Sequence, residues 1–182
     1  MKLRTILNGL EELKAKGNLD EEITSIAYDS RKVKEDGVFV AIKGFNVNGH
    51  DYIAQAVQKG VKAVVVQDGE KIKKSDFNED TVIVVAPDTR IALAKMSANF
   101  FGNPTRKLKT IGVTGTKGKT TTTYMIKEIL EKAGHKVGLI GTIANYIGNE
   151  KIGDNHSRTT PESLELQEMF SKMVEQNVEI AV

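Results

Sequence analysis

Gly112-Val113-Thr114-Gly115-Thr116-Lys117-Gly118-Lys119-Thr120-Thr121-Thr122-Thr123 is the stretch whose reading decides the fold. The residues before it, Thr110–Thr114, read as a strand. Residues 119–133 read as a helix closed by Gly134, and Lys136–Ile140 as the next strand, which together make a βαβ unit. A Gly-rich turn between a strand and a helix is the geometry that cradles phosphate. Glycines let backbone N–H groups turn toward an anion, and the helix N-terminus adds partial positive charge. Lys119 is the candidate catalytic residue, set to pair with β- and γ-phosphates, and the Thr120 hydroxyl is the candidate Mg²⁺ ligand. Gly115, Thr116, Lys117, Gly118 and Thr121 complete the candidate phosphate-binding set. The match to G-x-x-x-x-G-K-[ST] is not strict, because five residues before Gly118 stands Val113.

Upstream, Leu3, Ile6, Leu7, Leu10 and Leu13 recur at helical spacing, which predicts an amphipathic helix over 3–16 stopped by Gly17. Short β-rich runs follow at Ile23–Tyr28 and Val38–Ile42, separated by the polar turn Asp29–Gly37. A helix over Tyr52–Lys59 leads to the buried strand Ala63–Gln67. The charged stretch 68–80 reads as a solvated excursion before the strand Thr81–Ala86. Asp88 is the expected N-cap of the next helix, which Gly102-Asn103-Pro104 ends. That break predicts two domains, 1–104 with a linker helix and 105–182. In the second, Thr142–Ile152 reads as a hairpin around Gly148-Asn149. Thr160-Pro161 opens a helix with Thr160 as cap, and Val178–Val182 reads as a central parallel strand. A chain ending on such a strand is expected to be part of a longer protein.

Composition excludes several classes. Lys plus Arg number 26 against 24 Asp plus Glu, a formal net charge of +2, with no block of like charges to attract nucleic acid or a membrane surface. There is no cysteine, hence no disulfide framework or thiolate metal site. No apolar run approaches the roughly 18 residues of a membrane span, and the amino terminus lacks a signal-peptide core. A cytoplasmic protein is expected. His50, His135 and His156 lack metal-ligand spacing and read as surface residues.

The loop T-G-T-K-G-K-T-T-T resembles the ATP loop of the Mur ligase family, and folylpolyglutamate synthetases share a related loop. Tyr28-Asp29-Ser30-Arg31, Gly37-Val38-Phe39-Val40-Ala41 and Gly44-Phe45-Asn46-Val47-Asn48-Gly49-His50-Asp51-Tyr52-Ile53 resemble the uridine-nucleotide domain shared by the third-residue-adding (MurE) and D-Ala-D-Ala-adding (MurF) types. Arg158-Thr159-Thr160-Pro161-Glu162-Ser163-Leu164-Glu165-Leu166 resembles the MurE signature. The resemblance implies an α/β protein: a small UDP-binding domain followed by a truncated parallel-sheet P-loop ATPase domain. It implies Tyr28, Ser30, Phe45, Asn46 and Val47 as contacts of the uridine nucleotide, and Arg158, Thr159 and Thr160 as holding the peptidyl or phosphate portion of the substrate.

The implied reaction belongs to peptidoglycan synthesis. ATP, with Mg²⁺, phosphorylates the terminal carboxylate of a UDP-N-acetylmuramoyl dipeptide, and the amine of a diamino acid attacks the acyl phosphate. Whether that amino acid is meso-diaminopimelate or L-lysine stays open. The resemblance also implies that further catalytic groups lie downstream, so residues 1–182 alone are expected to be inactive as a ligase. The competing readings are a module that binds UDP and ATP without turnover, and a MurF-type ligase, against which the Thr159-Thr160-Pro161-Glu162 segment counts.

Overall fold

The computed structural model describes residues 1–44, 47–70, 72–154 and 160–182. They form two compact units, Met1–Phe100 and Phe101–Val182. Each is a sheet with helical cover, and both sheets are mixed rather than parallel throughout.

In the first unit α1 (Leu3–Ile6) is followed by β1 (Lys14–Lys16), β2 (Ile26–Ala27), β3 (Val38–Val40), α2 (Ile53–Gln58), β4 (Ala63–Gln67), β5 (Val82–Ala86) and α3 (Thr89–Phe100). The sheet order is β1-β5-β4-β3-β2, with β2 to β5 parallel and β1 antiparallel to β5 in the register Lys14↔Val85. Phe39, Val64 and Val66 on one pleat pack with Ile53, Ala56 and Val57 of α2. The opposite pleat carries the buried Val38, Val40, Ala63, Val65, Val82 and Val84, and α3 meets β4. Burying one such aliphatic side chain is worth about 1.5–3 kcal/mol, so the valine-rich strands supply much of this unit's cohesion.

Several expectations are corrected here. The helix expected over 3–16 stops after Ile6, because Gly9 and Glu12 sit at φ 73° and 55° in the left-handed region, and Lys14–Lys16 leave the helical path to pair with an edge. The excursion 68–80 is not wholly solvated, since Ile72 and Phe77 pack against the core of this unit. Asp88 caps α3 as expected: its Oδ1 accepts from the amides of Arg90 (2.7 Å) and Ile91 (3.0 Å). The helix expected as a linker is fastened to its own unit, where Asn99 Nδ2 donates to the carbonyls of Ile6 (2.9 Å) and Asn8 (2.8 Å).

The second unit runs β6 (Lys109–Thr110), α4 (Lys119–Lys132), β7 (Val137–Ile140), β8 (Ala144–Ile147), β9 (Glu150–Asp154), α5 (Ser163–Glu175) and β10 (Ile180–Ala181). Its order is β6-β10-β7-β8-β9. The first three strands are parallel, while β8 runs antiparallel to β7 and forms the expected hairpin with β9. β10 therefore lies at the centre of the parallel part, and β6 and β7 flank it rather than pairing. One face packs Val137, Leu139, Ile180 and Val182 with Tyr124, Ile126 and Leu130 of α4; the other packs Ala181, Ile147 and Met173 with Phe170 and Val174 of α5.

The strand expected over Thr110–Thr114 ends at Thr110. Its neighbour β10 offers one further ladder bond, Ile111 N–H to the Ala181 carbonyl at 2.8 Å, and the chain then leaves the sheet. Thr160 does not cap α5. The residue before a proline is driven to extended backbone, Glu162 stays extended at ψ 161°, and the helix opens at Ser163 with no side-chain cap.

Candidate functional site

The ligand-facing loops of an open α/β sheet follow the carboxyl ends of its parallel strands. In the first unit the turn holding Tyr28 and Ser30 follows β2, and the segment holding Val47 follows the neighbouring β3. The structure thus brings these three predicted residues to one edge. Phe45 and Asn46 lie outside the described residues.

Ser30 is buried and Tyr28 half-buried. Their turn is held from both sides. Arg31 forks onto Asp29, Nε to Oδ1 at 3.0 Å and Nη2 to Oδ2 at 2.7 Å, while the Arg31 amide donates to Asp29 Oδ1 at 3.0 Å. The Arg31 hydrogen bond holds the Asp29 carboxyl at about 2, well below the ordinary 3.8. From α2's end, Lys59 Nζ donates to the Ser30 carbonyl at 2.7 Å.

Val47 is 55% exposed; the Gly44 N–H donates to its carbonyl (2.9 Å), and an antiparallel bridge joins Lys43 to Asn48. Sequence reasoning missed the group behind it. His50, expected at the surface, is only 6% exposed. Its Nδ1 lies 2.7 Å from Asn48 Oδ1, and its Nε2 accepts the Gln67 amide at 3.0 Å. Burial pushes its pKa below 6.5. Glu70 accepts from Lys43 Nζ (2.9 Å) and Asn48 Nδ2 (3.1 Å), and the Lys43 bond leads in holding its carboxyl low. The Asn48-Gly49-His50 order was a usable signal, since Asn caps the short 3₁₀ turn Gly49–Tyr52. Glu70 had none, because its partners lie 22 and 27 residues away.

In the second unit Gly112–Gly118 follows β6 and delivers the chain to α4. Gly118 takes φ 80°, a conformation glycine adopts without steric cost, and no side chain caps the helix it precedes. The first amides of a helix have no partner inside it, so Lys119, Thr120 and Thr121 present their N–H groups at the positive end of the 14-residue α4. Lys119 folds back over the loop, its Nζ donating to the Gly115 carbonyl at 2.6 Å. Thr116 and Lys117 are exposed, and Thr120 is half-buried with its carbonyl accepting the Thr123 hydroxyl at 2.9 Å. All seven predicted loop residues, Gly115 to Thr121, therefore sit at one strand–loop–helix junction whose donors suit a polyphosphate. A hydroxyl at Thr120 suits a hard divalent cation. Thr160 is exposed ahead of α5; Arg158 and Thr159 lie outside the described residues. Among the described residues no helix is long and apolar enough to cross a membrane.

Comparison with known proteins bears on both units. The Mur ligase family catalytic domain matches residues 22–101, and the Mur ligase middle domain matches residues 113–182. The chain is 50% identical over 182 residues to the UDP-N-acetylmuramoyl-L-alanyl-D-glutamate--2,6-diaminopimelate ligase of Clostridium perfringens, covering 100% of this chain and 36% of the relative. It spans about a third of the length of the curated relatives it matches, 36% and 37% for the first two. A solved UDP-N-acetylmuramoyl-L-alanyl-D-glutamate--2,6-diaminopimelate ligase shares the fold, with a TM-score of 0.74 at 22% identity over 100% of this chain and 35% of that one. The MurF ligase from Thermotoga maritima in complex with ADP matches with a TM-score of 0.52 at 27% identity, over 79% of this chain and 28% of that one. Two units, each matched in chain order by a domain of one family, make this chain a member of the Mur ligases.

Proposed function

We propose that the chain is the nucleotide-handling part of an ATP-dependent ligase that joins 2,6-diaminopimelate, as the third residue, to UDP-N-acetylmuramoyl-L-Ala-D-Glu. The observation that carries this reading is the 50% identity, over the whole chain, to a ligase of that name. It favours diaminopimelate over L-lysine, and the third-residue type over MurF.

Residues 1–104 hold the uridine nucleotide through Tyr28, Ser30, Phe45, Asn46 and Val47. Residues 105–182 open a P-loop ATPase domain, in which Gly115, Thr116, Lys117, Gly118, Lys119, Thr120 and Thr121 hold the triphosphate and the Thr120 hydroxyl would hold Mg²⁺. Arg158, Thr159 and Thr160 take the peptidyl side of the substrate. A carboxylate is a poor electrophile, and bound ATP supplies the phosphoryl group that activates it. The chain's own contribution is position and charge. Lys119 exchanges its bond to the Gly115 carbonyl for phosphate oxygens, and its positive charge offsets what develops during transfer, typically worth about 3 kcal/mol. The amides at the start of α4 orient the same oxygens without reorganising.

Calorimetry tests the reading. UDP and ATP are each expected to bind once and independently, with Ser30→Ala weakening UDP alone and Lys119→Ala weakening ATP alone. Failure to bind either nucleotide overturns it. Because the chain spans 36% of that relative's length, no release of phosphate is expected from residues 1–182 supplied with ATP, dipeptide substrate and diaminopimelate.

A further inference from the structure

We propose that His50 is a positioning residue for the uridine subsite: it fixes Asn48, and with it Val47, onto the carboxyl end of β4. The proposal rests on the nucleotide reading of the first unit.

The hydrogen bonds define the tautomer. Nε2 accepts the Gln67 amide at 3.0 Å, so it carries no proton; the ring proton is on Nδ1 and is donated to Asn48 Oδ1 at 2.7 Å. With Oδ1 so engaged, Asn48 aims Nδ2 at Glu70 Oε2 (3.1 Å). Lys43, bridged to Asn48, reaches Glu70 Oε1 (2.9 Å). Lys43 and Asn48 are thereby both tied to Glu70 beyond β4, and Asn48 is tied through the imidazole to Gln67 at the end of β4 as well. The backbone beside it has no slack: a Cβ on Gly49 would lie 2.7 Å from both the nitrogen and the oxygen of Ile42. Asn48, and the exposed Val47 before it, are thereby held at the carboxyl end of the sheet, the end at which the Ser30 turn follows β2.

The arrangement works only with neutral imidazole, since a protonated Nε2 would face the Gln67 N–H donor to donor. Burial favours the neutral form, Glu70 and Asp51 oppose it, and Lys43 supports it. A histidine with a lowered pKa contributes stability that is full above 6.5 and is lost as pH falls from there to its folded value.

The test measures UDP affinity by calorimetry at about pH 7.5 and about pH 5.5, which bracket an ordinary histidine, for wild type, His50→Phe and His50→Gln, with ADP as the control ligand. His50→Phe keeps a ring and removes both hydrogen bonds. It should weaken UDP about tenfold, the size of one lost buried hydrogen bond, and leave ADP unchanged. In His50→Gln, Oε1 reaches the place of Nε2 and does not titrate. That variant should restore most of the affinity, and should lose less of it than wild type on acidification, since the titration of UDP itself is common to both. Equal UDP binding by wild type and His50→Phe overturns the proposal alone, as does an identical pH dependence in wild type and His50→Gln. Should His50→Phe melt the first unit, the pH comparison with His50→Gln decides. Wild type that binds no UDP overturns the nucleotide reading and this proposal together.

Discussion

Around Ser30 and Val47 side chains do the fastening, whereas Gly112–Gly118 is shaped by its backbone. In the first unit Arg31, Lys59, His50, Asn48, Lys43 and Glu70 hold the loops through bonds of 2.7 to 3.2 Å, and those of Lys59, Lys43, Asn48 to Glu70 and His50 to Gln67 join residues 17 to 29 positions apart. In the second, Thr116 and Lys117 are exposed, a Cβ on Gly118 would meet nothing within 4 Å, and the Lys119–Gly115 bond is local. A site tied by side chains is complete without its ligand and tolerates little change in packing. A site made of amides and a folded-back ammonium has donors waiting, so damage to it shows in binding more than in stability.

The largest effect expected from this contrast is on stability. Gly49→Ala places a methyl against backbone that cannot yield, and should destabilise the first unit by about 3 kcal/mol in urea denaturation. Next comes Lys119→Ala, which should weaken ATP by about 2 kcal/mol, roughly thirtyfold, with an unchanged urea midpoint. A shifted midpoint would mean that the ammonium supports the fold, and the contrast would break. Gly118→Ala has space around it and faces only the left-handed φ of 80°, so its cost should be about 1 kcal/mol. A loss as large as that of Gly49→Ala would also break the contrast. The smallest effect is electrostatic. Asp29, held at about 2 by its bond from Arg31, contributes stability that is full above its ordinary 3.8 and is lost as pH falls toward about 2. For a surface pair this is below about 1 kcal/mol, and Asp29→Asn should flatten that acid limb.

What was legible in the sequence divides along similar lines. Strand–loop–helix order around Gly118, the cap at Asp88 and the hairpin at Gly148 were readable because each is specified by neighbours a few residues apart. The first helix was misread because Leu10 and Leu13 continue an apolar period past Gly9, and only the pairing of Lys14–Lys16 with a distant edge shows that the period has ended. The helix at Thr160-Pro161 was placed early because the Thr-Pro pair fits a start signal that Glu162's extended backbone does not honour. The histidine was misjudged for a related reason: the Asn48 cap is readable locally, but nothing near it announces that Gln67 supplies an amide to the ring. Local chemistry was written in the sequence; bonds that span a fold were not.

The central position of β10 carries a consequence for synthesis. A ribosome that has released Gly112–Lys119, and even β7, has made the Gly-rich loop but not the strand on which β6 rests, for Lys109 pairs with Ile180 and Val137 with the same residue from the other side. Two strands must wait, unjoined, for a third translated long after them, and such late long-range closure is slow. The first unit, whose parallel strands pair with their sequential neighbours β2 to β5, can set while the second is still incomplete. The order of manufacture therefore puts a folded first unit ahead of a folded second unit.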